Sequence, residues 1–423
     1  SAWLRTRRFW VQILAGAPIE FMIKKNLILF QILILTLITR AIAIYFLGDE
    51  YISNEWGHIV SNLEKYKIFG LKNINGDIKP GIFMPPLYPF FLYSIKLIAQ
   101  EKFFYEAIFI FQVLFSILST LFLFKILRKF YSKKISYIFS LIFTLIPMNI
   151  YSATQFSSIN LQVLFTILFI FFLVNLSQSK NLKDLFLFSF LSGLLILLRG
   201  EFFVFVIFSL IYLFLSQKEL KKILLVLILT ILVVSPYLVR NYQTFGVITV
   251  TKSAGYNLLK GNNPLSKVEG VGMFGAVEKI VPSLKSKLDE LNALGPIDEH
   301  DLIKDKILLE QAVVYIKEDP LRYINLYFKK ALSFIFIDID STYPNYYSIF
   351  NIIPKILISV TTVVAIFVLF KFQINLYNYF ILYYLANIGL FSFFFILPRY
   401  NLSLLSIQIL LSLYLLKTIK SKL

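Results

Sequence analysis

The sequence predicts an all-α polytopic membrane protein, a bundle of about 10–12 transmembrane helices with external juxtamembrane helices and a small extramembrane loop region. Three observations predict it. Of 423 residues, 58% are hydrophobic and 17% aromatic, mean hydropathy is +0.75, and apolar runs recur at about the 20 residues that cross a bilayer. Basic residues gather in the short links and tails beside those runs: Lys24 and Lys25; Arg128, Lys129, Lys133 and Lys134; Lys180 and Lys183; Lys218, Lys221 and Lys222; Lys417, Lys420 and Lys422. This is a positive-inside pattern, which assigns those links to the cytoplasm. The acidic pair Asp49-Glu50 follows the first run and opens a polar loop closing in Met84-Pro85-Pro86-Leu87-Tyr88-Pro89. A carboxylate at the end of a membrane helix faces water, a partner or a substrate, because facing lipid costs several kcal/mol.

Composition excludes some functions. The net charge of +18 lies in membrane-flanking links, so it does not signal nucleic acid. Cysteine is absent and the two histidines, His58 and His300, stand far apart in the sequence, leaving no thiolate or zinc constellation. Aromatic anchoring at the interface explains the richness in Phe and Tyr, and a base-composition bias of the genome explains it as well.

Taken in order, residues 1–21 read as a leader or upstream extension, since Met22-Ile23-Lys24-Lys25 before a long apolar run resembles a natural start. Spans are expected near 26–47, 105–127, 135–150, 159–177, 184–198, 202–216, 222–238, 350–370, 376–397 and 402–417, with both ends cytoplasmic. The apolar segments 86–101 and 324–340 carry Lys96 in one and Lys329, Lys330, Asp338 and Asp340 in the other. They are read as interfacial helices. The domain reading is therefore 22–240 as a transmembrane module with a first loop at 48–86, 241–328 as an external substrate-binding region, and 329–423 as C-terminal helices.

This topology gathers the unusual polar groups on the external side: Asp49 and Glu50, Arg199-Gly200-Glu201, Arg240-Asn241, and Pro398-Arg399-Tyr400-Asn401. A single arginine there reads as a snorkelling or loop-pairing residue. Three beside a carboxylate pair point to an anionic ligand, for which the planar guanidinium fork is suited. In 241–328, Asn241 to Gly246 looks strand-like and Gly255 to Pro264 suits tight turns. A glycine-rich patch follows at 270–275. Ile303, Ile307, Leu308 and Val314 mark an amphipathic helix over 298–317 that stops at Glu318-Asp319-Pro320. No GxGxxG, P-loop or Ser-His-Asp motif stands out.

In order and sidedness, the acidic pair, Pro85-Pro86-Leu87-Tyr88-Pro89, Leu198-Arg199-Gly200-Glu201, Arg240-Asn241 with Gly246, Gly261-Asn262-Asn263-Pro264 and Pro398-Arg399-Tyr400 resemble the GT-C glycosyltransferases. The closest resemblance is to family 39-like enzymes, which include protein O-mannosyltransferases and the lipid A aminoarabinose transferase. It covers nearly the whole chain from Met22.

The resemblance implies a GT-C-like bundle and inverting transfer of a sugar from a polyprenyl-phosphate-linked donor. The acceptor is a hydroxyl or phosphate of a glycan, lipid or protein, on the external face of a bacterial inner membrane. Asp49 is expected as catalytic base with Glu50 beside it, and Arg240, then Arg199, Arg399 and Lys260, as donor-phosphate ligands. Asn241, Tyr88, Gln155, Tyr400 and His58 are substrate-binding candidates. Family members often carry an acidic residue in the loop after the third span; here Tyr151 to Asn160 has no carboxylate. That departure puts in doubt a second catalytic acid or a shared metal site; the resemblance to mannosyltransferases that act without a metal implies no cofactor, with a divalent cation kept open. A lipid-linked sugar flippase and a non-catalytic binding protein remain as alternatives.

Overall fold

The computed structural model describes residues 27–71, 78–99, 101–179, 181–271, 282–294, 299–342, 346–371 and 373–421. The 1–21 segment and most of the 270–275 patch lie outside them. Among the described residues there are 17 α-helices and no strand. The predicted all-α polytopic class is therefore the observed one.

Helix α1 (Leu27–Leu47) is followed by α2 (Glu55–Tyr66) and α3 (Leu87–Ala99), then by α4 (Phe104–Arg128), α5 (Lys133–Leu145), α6 (Pro147–Ser152) and α7 (Ile159–Gln178). Next come α8 (Leu182–Leu198), α9 (Phe202–Gln217) and α10 (Leu220–Phe245). The middle of the chain forms α11 (Ala254–Gly261), α12 (Pro282–Ala293), α13 (His300–Glu318) and α14 (Pro320–Ile335). Helices α15 (Ile349–Leu369), α16 (Leu376–Ser392) and α17 (Leu405–Lys420) close it, with a 3₁₀ turn, Pro398–Leu404, leading into α17.

Among the described residues, six helical segments are long and apolar enough to cross a membrane: Leu27–Leu47, Glu101–Arg128, Ile159–Gln178, Leu220–Phe245, Ile349–Leu369 and Pro398–Lys420. The expected spans at 184–198, 202–216 and 376–397 are helices of 17, 16 and 17 residues. The expected span 135–150 is broken at Pro147, which starts α6 and cannot continue the hydrogen-bond ladder of α5.

Packing separates two kinds of helix. Helix α7 is buried on nearly every side, with Leu161, Val163, Ile167, Phe169, Ile170 and Leu173 in the core. It lies between α4 and α8, while α10 flanks α8 from outside. In α10 and α15, by contrast, Ile228, Leu232, Leu357 and Phe367 are exposed, as expected where lipid replaces protein. The two ends of the bundle also differ. At one end Lys129 donates to Gln178 (3.3 Å), Asn175 to Asp184 (3.0 Å), and Tyr377 stacks on Tyr414 at 3.5 Å. At the other end lie the acidic pair, the 154–158 turn and the 3₁₀ turn.

Three local expectations are corrected. Asn241 to Phe245 is the last turn of α10 rather than strand-like; Gly246 ends it in the left-handed region at φ +69°, where glycine carries no Cβ penalty. Residues 254–261 are helical, and the tight turn follows them. Lys330 is fully buried in α14 rather than set at an interface, and its reason is given below. The stop at Glu318-Asp319-Pro320 is as expected: Asp319 accepts from Arg322 N (3.1 Å) and Pro320 starts α14, where its missing N–H costs nothing.

Candidate active site at the acidic end of the bundle

Asp49 is held by the turn between α6 and α7. Its backbone N donates to Thr154 O (3.0 Å), and its Oδ2 accepts from Phe156 N (2.7 Å). Half-burial pushes the Asp49 carboxyl above the usual carboxylate range, against the opposing effect of the Phe156 N–H and the Gln155 side chain, both of which bond the ionised form. Gln155 thus meets Asp49 in the loop where the family's carboxylate is missing. Removing it leaves the anion with one stabilising partner fewer. In Gln155→Ala the acid limb of the pH–rate profile is expected to move to higher pH, measured as kcat/KM against pH. An unmoved limb would dissociate Gln155 from Asp49.

The same turn reaches helix α2. Asn54 caps α2 through Trp56 N (3.2 Å) and Gly57 N (3.4 Å), and its Nδ2 donates to Phe156 O (3.2 Å). Phe156 therefore ties Asp49 to Asn54, and Glu55 in the first turn of α2 is placed beside them. Glu50 and His58 are both exposed on this stretch. Tyr88, fully buried in α3, has a hydroxyl without a hydrogen-bond partner among the described residues and within electrostatic reach of Asp49. Its ring packs edge-on against Trp56 at 5.1 Å.

Behind the turn runs a buried polar seam. Gln112 Nε2 donates to Gln155 O (3.1 Å) and Ser157 O (3.3 Å), and Asn160 Nδ2 donates to Gln112 O (2.6 Å). Ser116 joins Asn160 (3.4 Å), Thr120 donates to Ser116 O (3.0 Å), and the Thr120 and Thr144 hydroxyls meet at 2.9 Å. The seam ends at Arg40, fully buried inside α1, whose Nη1 donates to Thr144 O (2.5 Å) and Thr39 Oγ1 (3.0 Å). Asn160 is thereby committed to α4, whereas Gln155 is not.

Cations face this acidic rim from the other side. Arg199, just past α8, donates through Nε to Gln162 Oε1 (3.1 Å), lies 3.8 Å from Glu201 and stands over the Tyr400 ring at 5.7 Å. Tyr400 packs on Phe395 at 5.9 Å, and Lys260 Nζ lies 4.4 Å from the Phe395 ring centroid. The Lys260 ammonium is held below its ordinary value first by burial, then by the charge of Arg399, with Glu55 opposing both. Arg199, Lys260, Arg399 and Tyr400 are therefore one neighbourhood, and Glu55 joins it to the Asp49 side.

Arg240 sits apart from that neighbourhood. Its guanidinium donates to Gly81 O (2.9 Å), Phe69 O (3.3 Å) and Asn241 Oδ1 (2.8 Å), and the Phe245 ring lies 4.9 Å away. Asn241 is fully buried, with Nδ2 on Thr249 O (2.6 Å). The first loop is pinned from three directions: Arg240 at Gly81, Asp301 accepting from Ile82 N (2.9 Å), and Lys252 N donating to Ile82 O (2.9 Å). Burial pushes Asp301 up, but the His300 side chain and the Ile82 N–H outweigh it, so the carboxyl stays below its usual range.

The Gly261-Asn262-Asn263-Pro264 stretch is a docking turn that presents Lys260. Asn262 Nδ2 donates to Phe393 O (2.7 Å), Asn263 Nδ2 to Leu259 O (2.9 Å), and Asn263 Oδ1 accepts from Leu265 N (2.9 Å). Lys330 crosses from α14 to give its ammonium to Gly261 O (2.8 Å) and Asn262 Oδ1 (3.0 Å), with burial pushing its pKa down to about 7. Unfolding returns it towards the ordinary 10.5. The unfolded chain then binds more protons between these values, so stability is expected to rise with pH from about 7 upwards. Thermal unfolding in detergent across that range should show the rise in wild type and lose it in Lys330→Met.

Among the described residues, no group of three or more His, Cys, Asp or Glu side chains could hold a metal ion. Sequence reasoning missed Arg40, Glu55, Asp301 and Lys330. Arg40 had a readable signal, a lone cation inside an apolar run, whereas Lys330, one of the pair Lys329-Lys330, reads in the sequence only as an interfacial charge. The Ile82 partner of Asp301 lies 219 residues away and had no such signal.

The fold and this site define a multi-pass helical membrane protein with carboxylates and cations assembled at one end of the bundle. Residues 84–239 match the family model of dolichyl-phosphate-mannose-protein mannosyltransferases. Together these support a membrane glycosyltransferase of the GT-C superfamily acting with a lipid-linked donor. No curated protein and no solved structure matches the chain.

Proposed function

We propose that the protein transfers a sugar from a polyprenyl-phosphate carrier to an acceptor hydroxyl, with inversion, on the external face of a bacterial inner membrane. The single observation that carries this reading is the pairing of a half-buried, hydrogen-bonded Asp49 with the Lys260, Arg399 and Arg199 neighbourhood at the same end of the bundle.

In the proposed step the acceptor oxygen attacks the anomeric carbon and its proton passes to Asp49. The bond from that carbon to the phosphate oxygen breaks, and the electron pair leaves on the carrier monophosphate. A positioned base supplies about 10²–10⁴ in rate. The departing phosphate needs cations more than a proton donor, and Lys260, Arg399 and Arg199, each partly buried, supply them. Arg240 and Asn241 hold the first loop through Gly81, Phe69 and Thr249, and Arg240 has Nε and one Nη2 hydrogen beyond those bonds for the phosphate. Tyr88 shapes the base's surroundings. Glu50, exposed next to Asp49, together with His58 and Tyr400, borders the acceptor's approach. The external assignment rests on the lysine-rich links at the opposite end.

The test is transfer of labelled sugar from a panel of polyprenyl-phosphate donors by the protein in liposomes, with a membrane extract as acceptor. Label in a new product with wild type but not with Asp49→Asn supports the reading. Label that crosses the bilayer yet stays on the lipid in both proteins would replace the transferase by a flippase.

A further inference from the structure

Helices α2 and α11 bring two polar side chains together between the base and the phosphate cations. Asn54, the cap of α2, donates Nδ2 to Phe156 O (3.2 Å), and Phe156 N donates to Asp49 Oδ2 (2.7 Å), so the start of α2 is fixed to the turn that holds the base. Glu55 is the first residue of that helix. From the other side, Tyr256 and Lys260 stand four residues apart in α11 and share one face of it. Both feel the Glu55 charge. It opposes the burial that lowers the Lys260 ammonium, and it adds to the burial that holds the Tyr256 hydroxyl above its ordinary value. Glu55 is therefore turned towards α11.

The backbone behind these side chains is firmly held. Tyr256 N donates to Asp305 Oδ1 (3.1 Å), and a Cβ on Gly255 would stand 2.0 Å from Asp305 O, so α11 is seated directly on α13. Phe83 of the first loop meets the Tyr256 ring edge-on at 5.2 Å, and its neighbour Ile82 is bonded to Asp301 and Lys252. The polar ends, by contrast, are free. Among the described residues neither the Glu55 carboxylate nor the Tyr256 hydroxyl has a hydrogen-bond or ion-pair partner. A few polar groups converging from rigid elements are what fixes the orientation of a bound small molecule. A carboxylate in the first turn of a helix is favoured by the helix dipole as well, but that role is blind to the identity of a ligand.

We propose that Glu55 and the Tyr256 hydroxyl read the hydroxyls of the transferred sugar, and that Glu55 selects an uncharged sugar over an acidic one. The inference rests on the proposed transferase reading and adds which residues recognise the sugar. With Asp49 on the acceptor side of the anomeric carbon and Lys260 on its phosphate side, the rest of the ring falls between them, where Glu55 and Tyr256 stand. A carboxylate can accept from two neighbouring hydroxyls, and the phenol can donate to another sugar oxygen. A sugar that carries its own carboxylate would meet Glu55 as a like charge, an element that discriminates by repulsion. A site that bonds a hydroxyl also rejects the analogue lacking it, because its own polar groups are left unpaired.

The test is transfer by the full-length protein in liposomes from polyprenyl-phosphate donors carrying a neutral hexose (glucose, galactose or mannose, whichever wild type transfers fastest), its monodeoxy analogues and the matching hexuronic acid. Wild type should prefer the hexose to the hexuronic acid. Glu55→Gln should lower kcat/KM for the hexose and raise it for the acid, shifting the ratio at least tenfold; a damaged fold cannot produce that gain. Glu55→Ala should lower kcat/KM for the hexose at least tenfold, with at least one monodeoxy donor on which it equals wild type, and Tyr256→Phe should show the same pattern with a deoxy donor of its own. A wild type that prefers the hexuronic acid, an unchanged ratio in Glu55→Gln, or a loss in Glu55→Ala that is equal for the hexose and every deoxy donor would each overturn the proposal. In those cases the transfer that wild type still performs leaves the transferase reading standing, whereas a wild type that transfers none of the sugars removes both.

Discussion

Asp49→Asn is expected to lower kcat for sugar transfer by about 10²–10⁴ while leaving the fold and donor binding in place. The substitution is nearly isosteric. An Asn oxygen still accepts from Phe156 N (2.7 Å in the wild type), so the turn that holds the side chain survives. What is lost is the capacity to take a proton. The wild-type rate should itself fall with acid at a pH above the usual carboxylate range, because half-burial raises the Asp49 pKa and only the ionised form serves as base. Single-turnover kinetics with preloaded donor separate this from a binding defect. An Asp49→Asn variant that transfers sugar at the wild-type rate would remove Asp49 from the chemistry.

Gly261→Ala is expected to be the most damaging small substitution outside the membrane spans. A Cβ there would stand 1.8 Å from Phe394 O and 2.4 Å from Phe394 C, both backbone atoms that cannot rotate aside. The docking turn would have to lift from residues 393–396, carrying Asn262 off Phe393 O and Lys330 off its two acceptors. Overpacking of this kind costs about 1–3 kcal/mol, and here a buried ammonium would lose partners as well. Lys260 precedes Gly261, so transfer should fall together with the thermal midpoint. Gly246→Ala is the contrast: nothing lies within 4 Å of its Cβ, and only the positive φ is strained. If Gly261→Ala were no worse than Gly246→Ala, the docking turn would not organise the site.

The helical class, the cationic end and the acidic end were legible in the sequence because each rests on a one-dimensional signal: hydropathy over about 20 residues and the placement of Lys and Arg between runs. The position of Asp49 at the end of the first span was legible for the same reason, as a carboxylate kept where lipid begins, and the turn that holds it was not. Residues grouped by order alone were sorted only in three dimensions. Arg240 and Arg399 look equivalent in the sequence, each an arginine at a span's end. The structure gives Arg240 to the carbonyls of Gly81 and Phe69 and puts Arg399 beside Lys260. Likewise Asn241 and Gln155 were both sugar-binding candidates, and folding buries the first against Thr249 while bringing the second to Asp49.

The sequence by itself determined the solvent of each segment and the end of the bundle at which charge collects, since burial in lipid is set by local composition. Only the tertiary structure decided which charged group is bonded into the fold, as Arg240 and Lys330 are, and which others share one neighbourhood, as Lys260 and Arg399 do. Hydrogen-bond partners such as Lys330 and Gly261, or Asp301 and Ile82, are distant in sequence and meet only when packing of the apolar faces brings them together.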